Sequence, residues 1–340
     1  MKSPHILIVR RDNIGDLLCT TPLIHGLRKK YPKAFIAVLA SSYNAEVLRG
    51  NPDVDQVFVF PKRYEKKSAT YFFAKLWKRW MLIREIRRCR FDHLILANGG
   101  WRYARHLGGK EMIGFRERHQ SDHCQPEVIV PLEHEGREDH EVVKMARLGS
   151  VLGVTEAMGP LHLFPDPGEV IRQRQHLVDL GWDPTLPTLG LHISSRQPHQ
   201  RWPQESFVAL AQELMKKKKV QILLFWSPGK NNNRMHPGDD EKARGILEHF
   251  QYREVLPCPT KTLRELIAAI SLVDYIICSD GGAMHIAAAL QKPILCFFGA
   301  SNIDEWHPWH VPYHVLKTTS QRVADIQVEE VIKQVDLLTR

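Results

Sequence analysis

Short apolar strands that alternate with helical segments occur in two series, and this pattern constrains the fold more than any other sequence feature. In the first series, strands are predicted at residues 5–9, 34–39, 56–60, 93–97 and, more weakly, 111–113, with helices at 17–30 and 43–49. Continuous apolar strands separated by helices are typical of parallel sheets, because helices cover both faces of such a sheet. The first series therefore predicts an α/β domain.

The second series follows a proline-rich stretch at residues 161–187, which we interpret as a linker. Its predicted strands are 188–193, 220–225, 275–278 and 293–298, and its predicted helices are 203–218, 239–250, 262–272, 283–290 and 323–339. The chain has 340 residues, and domains of about 150 residues would fill it twice. We expect an N-terminal domain at 1–165 and a C-terminal domain at 166–340, with the last helix in the second domain or packed back on the first.

Composition favours a globular protein with an anionic partner. Hydrophobic residues make up 43% of the chain, which is ordinary for a folded domain and excludes extensive disorder. There are 47 Lys and Arg residues against 38 Asp and Glu residues, so the formal net charge is +9. A surplus of that size suits phosphate-rich ligands, nucleic acid or an acidic membrane surface.

The cysteines and the apolar runs indicate the cellular compartment of the protein. The six cysteines include no C-x-x-C pair, and several lie inside apolar strands. This pattern indicates reduced thiols of a cytosolic protein rather than a disulfide framework or a zinc site. No apolar run reaches the roughly 18 residues of a membrane span, and the N-terminal run is too short for a signal peptide. We expect a cytoplasmic protein that is soluble or peripheral to a membrane.

Open parallel sheets bind ligands beyond the carboxyl ends of their strands, so the turns that follow the strands are the informative loops. The first is Arg-Arg-Asp-Asn-Ile-Gly-Asp at residues 10–16, where Gly15 permits a tight turn and Asp16 falls at the helix start. Two interpretations are open. Asp12, Asn13 or Asp16 caps the helix, or Asp16 lies at the floor of a cleft as a general base.

The second loop, residues 192–203, follows the first strand of the second series. Ser194 and Ser195 offer hydroxyl donors, and Arg196 and Arg201 carry cationic forks that match phosphate groups. The alternative is an ordinary polar loop.

The third loop runs from a strand into two glycines and a helix of small residues, at 279–289. Gly281 and Gly282 allow a ligand to approach the backbone, and the free N–H groups of a helix start bind anions. Asp280 is placed to accept from a sugar hydroxyl, and His285 lies in the first helical turn. The alternative is close helix–sheet packing around a structural histidine.

Several motifs are absent from the sequence. There is no H-E-x-x-H, no G-x-S-x-G elbow, no Walker loop and no G-x-G-x-x-G after the first strand. We therefore expect no metal site and no nicotinamide dehydrogenase.

Taken together, these loops resemble glycosyltransferase family 9, the bacterial heptosyltransferase family of lipopolysaccharide synthesis. The matching stretches are residues 6–22, 51–60, 190–203 and 274–299, so the resemblance covers both domains. It implies a GT-B fold, in which two Rossmann-like parallel-sheet domains face a central cleft. It also implies an inverting, metal-independent transfer from a nucleotide sugar, most often ADP-heptose, with no cofactor.

The resemblance also assigns residues. The catalytic Asp of the family matches Asp16. The C-terminal domain would bind the nucleotide-sugar donor through Ser194, Ser195, Arg196, Arg201, Glu241, Lys261, Asp280, Gly281, Gly282 and His285. The N-terminal domain would bind the acceptor, a lipopolysaccharide core or a related surface glycan, through Asn13, Gly15, Arg102, Arg105 and Arg116.

The sequence departs from the family pattern at the donor side. A Lys often stands two residues before the family's Trp-Pro, where this chain has Gln200, and Arg201 or Arg196 would replace the lost charge. The family's donor-side acidic residue matches either Asp240 or Glu241. These departures leave two alternatives open: a family-9 transferase with another nucleotide sugar, and a non-catalytic nucleotide-sugar or glycan-binding relative.

A basic segment at residues 61–90 has eleven Lys or Arg residues, two acidic residues and six aromatic residues. Cations and aromatic rings together are typical of segments that contact anionic membranes. We expect this segment to contact the cytoplasmic face of the inner membrane and, with the arginines of the acceptor set, to receive an anionic lipid-linked glycan. The alternative is a helix whose rings pack on the sheet. No nucleic-acid-binding motif accompanies the charge, so no nucleic acid is expected.

Overall fold

The computed structural model describes residues 3–61, 69–116, 125–131, 139–217, 220–231, 237–251 and 254–338, without the side chains of 69–75. The chain divides into two compact units, of which the first ends at Phe164 and the second begins at Pro165. The sequence prediction placed this division after residue 165.

The first unit is a parallel sheet flanked by helices. Its strands are β1 (His5–Val9), β2 (Phe35–Ser41), β3 (Gln56–Phe60), β4 (His93–Leu96), β5 (Glu111–Phe115) and β6 (Val128–Val130). They lie in the order β3-β2-β1-β4-β5-β6. Its helices are α1 (Ile14–Lys30), α2 (Ala69–Arg88), α3 (Trp101–Ala104) and α4 (Glu141–Ser150), and a 3₁₀ turn covers Ala45–Leu48.

The second unit repeats this plan. Its strands are β7 (Thr188–His192), β8 (Gln221–Trp226), β9 (Val255–Pro259), β10 (Tyr275–Ser279), β11 (Ile294–Phe298) and β12 (Tyr313–Lys317), in the order β12-β11-β10-β7-β8-β9. Its helices are α5 (Pro167–Asp179), α6 (Gln204–Lys217), α7 (Asp240–Leu247), α8 (Leu263–Ser271), α9 (Gly282–Ala289), α10 (Ile303–Trp306) and α11 (Val328–Leu338). The last helix, α11, packs on α6, β11 and β12 of its own unit.

The predicted α/β class with two parallel sheets is confirmed, while several elements escaped prediction. The stretch interpreted as a linker contains α5, so that interpretation is wrong for Pro167–Asp179. The helix starts at Pro167, and the Asp166 carboxylate accepts from the Glu169 N–H at 3.0 Å. Proline at the first helical position starts a helix instead of breaking one. The edge strand β9 was missed because it contains Pro257 and Pro259, which only an edge strand accommodates.

Central strands are buried on both faces, which explains their continuous apolar sequences. Ile6, Leu7 and Ile8 of β1 are all fully buried, although their side chains point alternately to opposite faces of the sheet. Helix α1 is also apolar around most of its circumference, because it packs on the sheet and on α4. The sheet thus holds the loop between β1 and α1 in a fixed place at its carboxyl edge.

Among the described helices, none combines the length and the apolar character that crossing a membrane requires.

The buried side chain of Asn44 joins the loops that follow β1 and β2. Its Oδ1 accepts from the backbone N–H of Ser41 at 2.8 Å and from the Ser41 hydroxyl at 2.9 Å. Its Nδ2 donates to the carbonyl of Asn13 at 3.1 Å. Asn44 is fully buried, so its side chain makes these bonds within the fold and not to bulk water.

We predict that Asn44→Ala lowers the free energy of unfolding of the first unit by about 1–3 kcal/mol, because buried polar groups lose their partners. Urea denaturation measures this loss. Asn231→Ala is the matched control, since Asn231 is exposed, and it should change stability by less than about 0.5 kcal/mol. Equal effects of the two substitutions would contradict the prediction.

Candidate functional site

Asp16 lies in the first turn of α1, at the carboxyl edge of the first sheet. Its Oδ1 accepts a hydrogen bond from Nη2 of Arg10 at 2.9 Å, and its side chain is 13% exposed. Asn13 occupies the N-cap position, yet its side chain makes no capping bond. The capping interpretation therefore does not hold for Asn13, and Asp16 is fixed by an ion pair that leaves part of its carboxylate accessible.

The residue that organises this edge is Arg10, which sequence analysis did not select. Its side chain is 2% exposed. Its guanidinium donates to Glu141 at 2.7 Å and to the carbonyl of Ala97 at 2.6 Å, and its Nε lies 3.0 Å from Asp12. A strongly basic residue directly after a buried strand was the available signal. Its partner Glu141 is too distant in sequence to be inferred from spacing.

One buried guanidinium thus faces three carboxylates. Burial opposes the charge on Arg10, but Glu141, Asp12 and Asp16 outweigh it and raise the pKa of the guanidinium above its usual range. Burial raises the pKa of Asp12 to about 7 despite the opposing effect of Arg10, and the nearby Asp16 adds to the rise. Burial also raises the pKa of Glu141. Burial thus opposes the charged form of two of the three carboxyl groups, those of Asp12 and Glu141.

The residues predicted to bind the acceptor lie along the same edge. Asn13 is exposed and Gly15 is buried, both in the loop that carries Asp16. Arg102 and Arg105 are exposed, on α3 and directly after it, beyond the end of β4. Arg116 is exposed and follows β5. Because β1, β4 and β5 are parallel neighbours, their carboxyl ends share one edge of the sheet.

Arg11, the neighbour of Arg10, has a different role. Its guanidinium stacks 4.9 Å from the ring centroid of Phe60 and 4.5 Å from that of Tyr103. Burial lowers the pKa of Arg11 from its usual value. Arg11 thus joins the ends of β3 and α3 along the same edge of the sheet.

In the second unit, the two predicted serines bind neighbouring parts of the protein. The Ser194 hydroxyl oxygen accepts from the backbone N–H of Ser227 at 2.9 Å. The Ser195 hydroxyl donates to Oε1 of Gln200 at 3.1 Å. Arg196 lies between these serines and the following turn and is exposed. Of this group, Arg196 presents its charge most openly to a ligand.

Gln200 connects the second and third loops. Sequence analysis noted this residue only as a departure from the family pattern. It is 7% exposed. Its Nε2 donates to Asp280 at 3.0 Å and to the hydroxyl of Ser301 at 3.2 Å, and its carbonyl accepts from the Ser279 hydroxyl at 2.6 Å. The structure therefore brings Ser195 and Asp280 together through Gln200.

Arg201 is partly buried and is held by contacts that the sequence did not reveal. Its Nε donates to the carbonyl of Ser195 at 2.8 Å, and its Nη1 donates to Asp239 at 2.8 Å. Asp239 is 3% exposed and therefore lies within the fold. Most of the hydrogen-bond donors of Arg201 are used by these partners. Arg201 therefore stabilises the loop and has few donors left for a phosphate.

The choice between Asp240 and Glu241 becomes clearer in the structure. The Asp240 carboxylate accepts from the Trp226 indole at 2.8 Å and from the Gly229 N–H at 2.9 Å. Glu241 is exposed in the first turn of α7. Asp240 therefore closes the loop after β8, and Glu241 is the acidic residue available to a ligand. Lys261 is exposed after β9, just before α8.

Lys242 and His192 are two partly buried basic side chains close to these loops. The Lys242 ammonium donates to the carbonyls of Trp202 at 2.7 Å and Ile193 at 3.3 Å, and burial lowers its pKa to about 8. Burial, with Lys242 nearby, lowers the pKa of His192 to about 4. At pH 7 the lysine therefore carries the charge and the imidazole is neutral.

The third loop presents a helix start to open space. Gly281 precedes α9 with φ of +151°, and an added Cβ would meet no heavy atom within 4 Å. Its conformation, rather than crowding, requires glycine. Gly282 begins α9. His285 is 3% exposed, and its ring lies edge-on to Trp306 at 6.0 Å between centroids. The buried imidazole therefore packs within the fold and is reached less easily than Asp280.

Comparisons with known proteins bear on the family and the fold of the chain. The model of glycosyltransferase family 9 (heptosyltransferase) matches residues 79–335. Lipopolysaccharide heptosyltransferase 3 of Escherichia coli is 26% identical over 302 residues, which are 87% of this chain and 83% of that protein.

Two solved structures share the fold. The glycosyl transferase family 9 protein of Veillonella parvula aligns with a TM-score of 0.82 and 21% identity, covering 98% of this chain and 97% of that one. The E. coli heptosyltransferase WaaC with ADP aligns with a TM-score of 0.78 and 17% identity, covering 98% and 99%.

The family model spans most of the chain, and the heptosyltransferase neighbours have the GT-B fold that the resemblance implied. Since both sheets of this fold are present, the two units are its Rossmann-like domains. The chain belongs to glycosyltransferase family 9 and is a glycosyltransferase.

Proposed function

We propose that this glycosyltransferase moves a heptose from ADP-heptose onto a lipopolysaccharide core, with inversion at the anomeric carbon and without a metal ion. The proposal rests first on Asp16, whose partly accessible carboxylate is fixed by Arg10 at the carboxyl edge of the first sheet. The similarity to a lipopolysaccharide heptosyltransferase supports the acceptor class, and the fold shared with an ADP-bound heptosyltransferase supports the donor class.

In this mechanism, an acceptor hydroxyl attacks the anomeric carbon as the bond to ADP breaks. Asp16 takes the hydroxyl proton, and the electron pair of the broken bond leaves on the diphosphate. Arg10 keeps Asp16 oriented through the bond from Nη2, and Glu141 in turn holds Arg10. This buried pair therefore fixes the direction from which the proton is taken.

The second unit supplies the groups for the departing diphosphate. The exposed Arg196 and the open helix start at Gly281 and Gly282 offer a cation and backbone N–H groups. Asp280 is held by Gln200 and accepts from sugar hydroxyls. Glu241 and Lys261 complete the proposed donor set as exposed residues of neighbouring loops.

A titration of the purified chain with ADP-heptose, ADP, UDP and GDP tests the donor assignment. We expect selective binding of the adenosine nucleotides that persists in EDTA. Selective binding of UDP or GDP would replace the donor and keep the reaction class. A chain that binds no nucleotide would be a non-catalytic relative, and the proposal would fail.

We predict that Asp16→Asn lowers kcat by about 10²–10⁴-fold, the usual contribution of a general base. Asn keeps an oxygen that accepts from Arg10, so the fold should persist, and affinity for ADP should stay within about twofold because the second unit binds it. Transfer assays and calorimetry measure both quantities.

Asp12→Asn is the matched control for this variant, since Asp12 also contacts Arg10. We expect it to reduce kcat by less than about tenfold. If Asp12→Asn stops transfer while Asp16→Asn does not, the base is Asp12, whose pKa of about 7 suits proton transfer.

Gln200→Ala is predicted to weaken ADP binding by about 5–30-fold, because Asp280 and Ser195 lose a hydrogen-bond partner. Gln197→Ala changes an exposed glutamine of the same loop and should leave binding unchanged. Calorimetry compares the two variants, and equal affinities would show that Gln200 does not organise the donor site.

The basic segment includes α2, which has an exposed apolar stripe. Leu76, Trp77, Trp80 and Met81 are 45–61% exposed, and they recur at the spacing of one helical face. The two indole rings lie 5.1 Å apart, and Arg84 lies 5.4 Å from the Trp80 centroid. The predicted alternative, rings packed on the sheet, does not hold for these two tryptophans. Residues 62–68 and the side chains of Tyr71, Phe72 and Phe73 lie outside the described part.

We therefore propose that α2 lies in the surface of an anionic membrane, at the cytoplasmic face of the inner membrane where a lipid-linked acceptor is reached. The tryptophans enter the interface and the surrounding cations meet lipid phosphates. The exposed Arg102, Arg105 and Arg116 would then contact the anionic glycan.

For Trp77→Ser/Trp80→Ser, we predict at least about tenfold weaker partitioning onto phosphatidylglycerol-containing vesicles, since each buried aromatic side chain contributes about 1.5–3 kcal/mol. Ile171→Ser removes an apolar side chain that is 67% exposed in the second unit and should have no effect. Flotation measures recovery. Equal recovery with pure phosphatidylcholine vesicles would remove the electrostatic part of the proposal.

A further inference from the structure

A second polar cluster lies in the first unit, away from the proposed reaction. His25, Asp53 and His162 each present a ligand atom, and these atoms all lie within 4.8 Å of one another. His25 Nδ1 is 2.9 Å from Asp53 Oδ2. The two imidazole rings stack with centroids 4.4 Å apart. Three potential metal ligands thus converge from parts of the chain far apart in sequence.

The surrounding structure fixes each of these ligands on a different element. His25 lies on α1, and the His162 backbone N–H donates to the Thr21 hydroxyl at 2.8 Å, which joins its segment to the same helix. Asp53 is 7% exposed, and its N–H donates to Asn51 Oδ1 at 2.9 Å. The ligands are therefore positioned by the fold before any ion binds.

The cluster opens into a cavity of about 360 Å³ lined by residues that include Pro22, His25, Glu156 and His162. Glu156 lies 127 residues after Lys29, with which it forms an exposed ion pair. Arg28 also approaches, donating to the Asp53 carbonyl at 3.2 Å. The cavity is large enough for a hydrated ion, and both nearby cations already have carboxylate partners: Arg28 donates to Asp55 at 2.6 Å, and Lys29 pairs with Glu156.

We propose that His25, Asp53 and His162 bind a divalent transition-metal ion, with Zn²⁺ the best match. Two imidazoles and one carboxylate are a ligand set that Zn²⁺ accepts, with water in the fourth position. Tetrahedral bonds of about 2.1 Å separate ligand atoms by roughly 3.4 Å. The separation of His25 and Asp53, now 2.9 Å, would lengthen and the wider separations, none above 4.8 Å, would shorten, so that the bond between His25 and Asp53 gives way to coordination.

This ion is structural and takes no part in sugar transfer. Asp16 and His25 are both on α1, and nine residues of helix separate them by about 14 Å along the axis. An ion at the cluster joins α1 to the segments that carry Asp53 and His162, and it stabilises the folded state by mass action. If no ion binds at this cluster, the proposed transfer reaction is not affected.

The test uses the full chain without a histidine tag, stripped with EDTA and titrated with Zn²⁺ in a calorimeter. We expect a site that His25→Gln and His162→Gln each weaken by at least about tenfold. His249→Gln is the control, because His249 is exposed in the second unit, and it should bind like the wild type. Zn²⁺ should raise the Tm of the wild type but not of the two cluster variants.

Asp53→Asn provides an independent variant if a histidine substitution disturbs folding, and thermal unfolding in EDTA checks the fold of each. Co²⁺ reports geometry, since its visible absorption strengthens in a four-coordinate site. Equal Zn²⁺ affinity and equal Tm shifts in the wild type, both histidine variants and Asp53→Asn would overturn the proposal. Transfer activity that is equal with and without Zn²⁺ is expected in every case.

Discussion

The ion pairs and hydrogen bonds of Arg10 are the constraint on which the first unit depends. A fully buried guanidinium is stable only if its charge is matched, and here Glu141, Asp12 and Asp16 match it. These contacts join the end of β1, the start of α1 and the start of α4. Removing Arg10 would leave three neighbouring carboxylates without the cation that they share. The position of the proposed base is thereby coupled to the packing of the whole first sheet.

This network has an electrostatic cost that depends on pH. The pKa of Asp12 is about 7 in the folded chain, against about 3.9 when unfolded. Between these values the folded state holds more protons than the unfolded state, so Asp12 makes stability fall as pH rises from about 4 to 7. Above pH 7 the full cost remains. A cost of this kind at a cluster of carboxylates is typical of sites where function, rather than stability, determines the residues.

In the second unit, neutral and charge-assisted hydrogen bonds hold the loops that follow the strands. Gln200 holds Asp280 through a neutral amide at 3.0 Å. Asp239 then occupies the fork of Arg201. The cations exposed in these loops include Arg196 and Lys261, and the start of α9 adds backbone N–H groups.

The limits of sequence analysis have the same physical origin. Strand periodicity and the Gly-Asp turn are local, so the parallel sheets and the place of Asp16 were predictable. Arg10 and Arg11 are adjacent and chemically alike, yet one enters a carboxylate cluster and the other stacks on Phe60 and Tyr103. That choice depends on Glu141, which is 131 residues away from Arg10. Residues so far apart in sequence form no recognisable motif. The proposed metal ligands His25, Asp53 and His162 were not predicted for the same reason. A single sequence therefore does not reveal the buried polar contacts, because the fold and not the neighbouring sequence determines which residues pair.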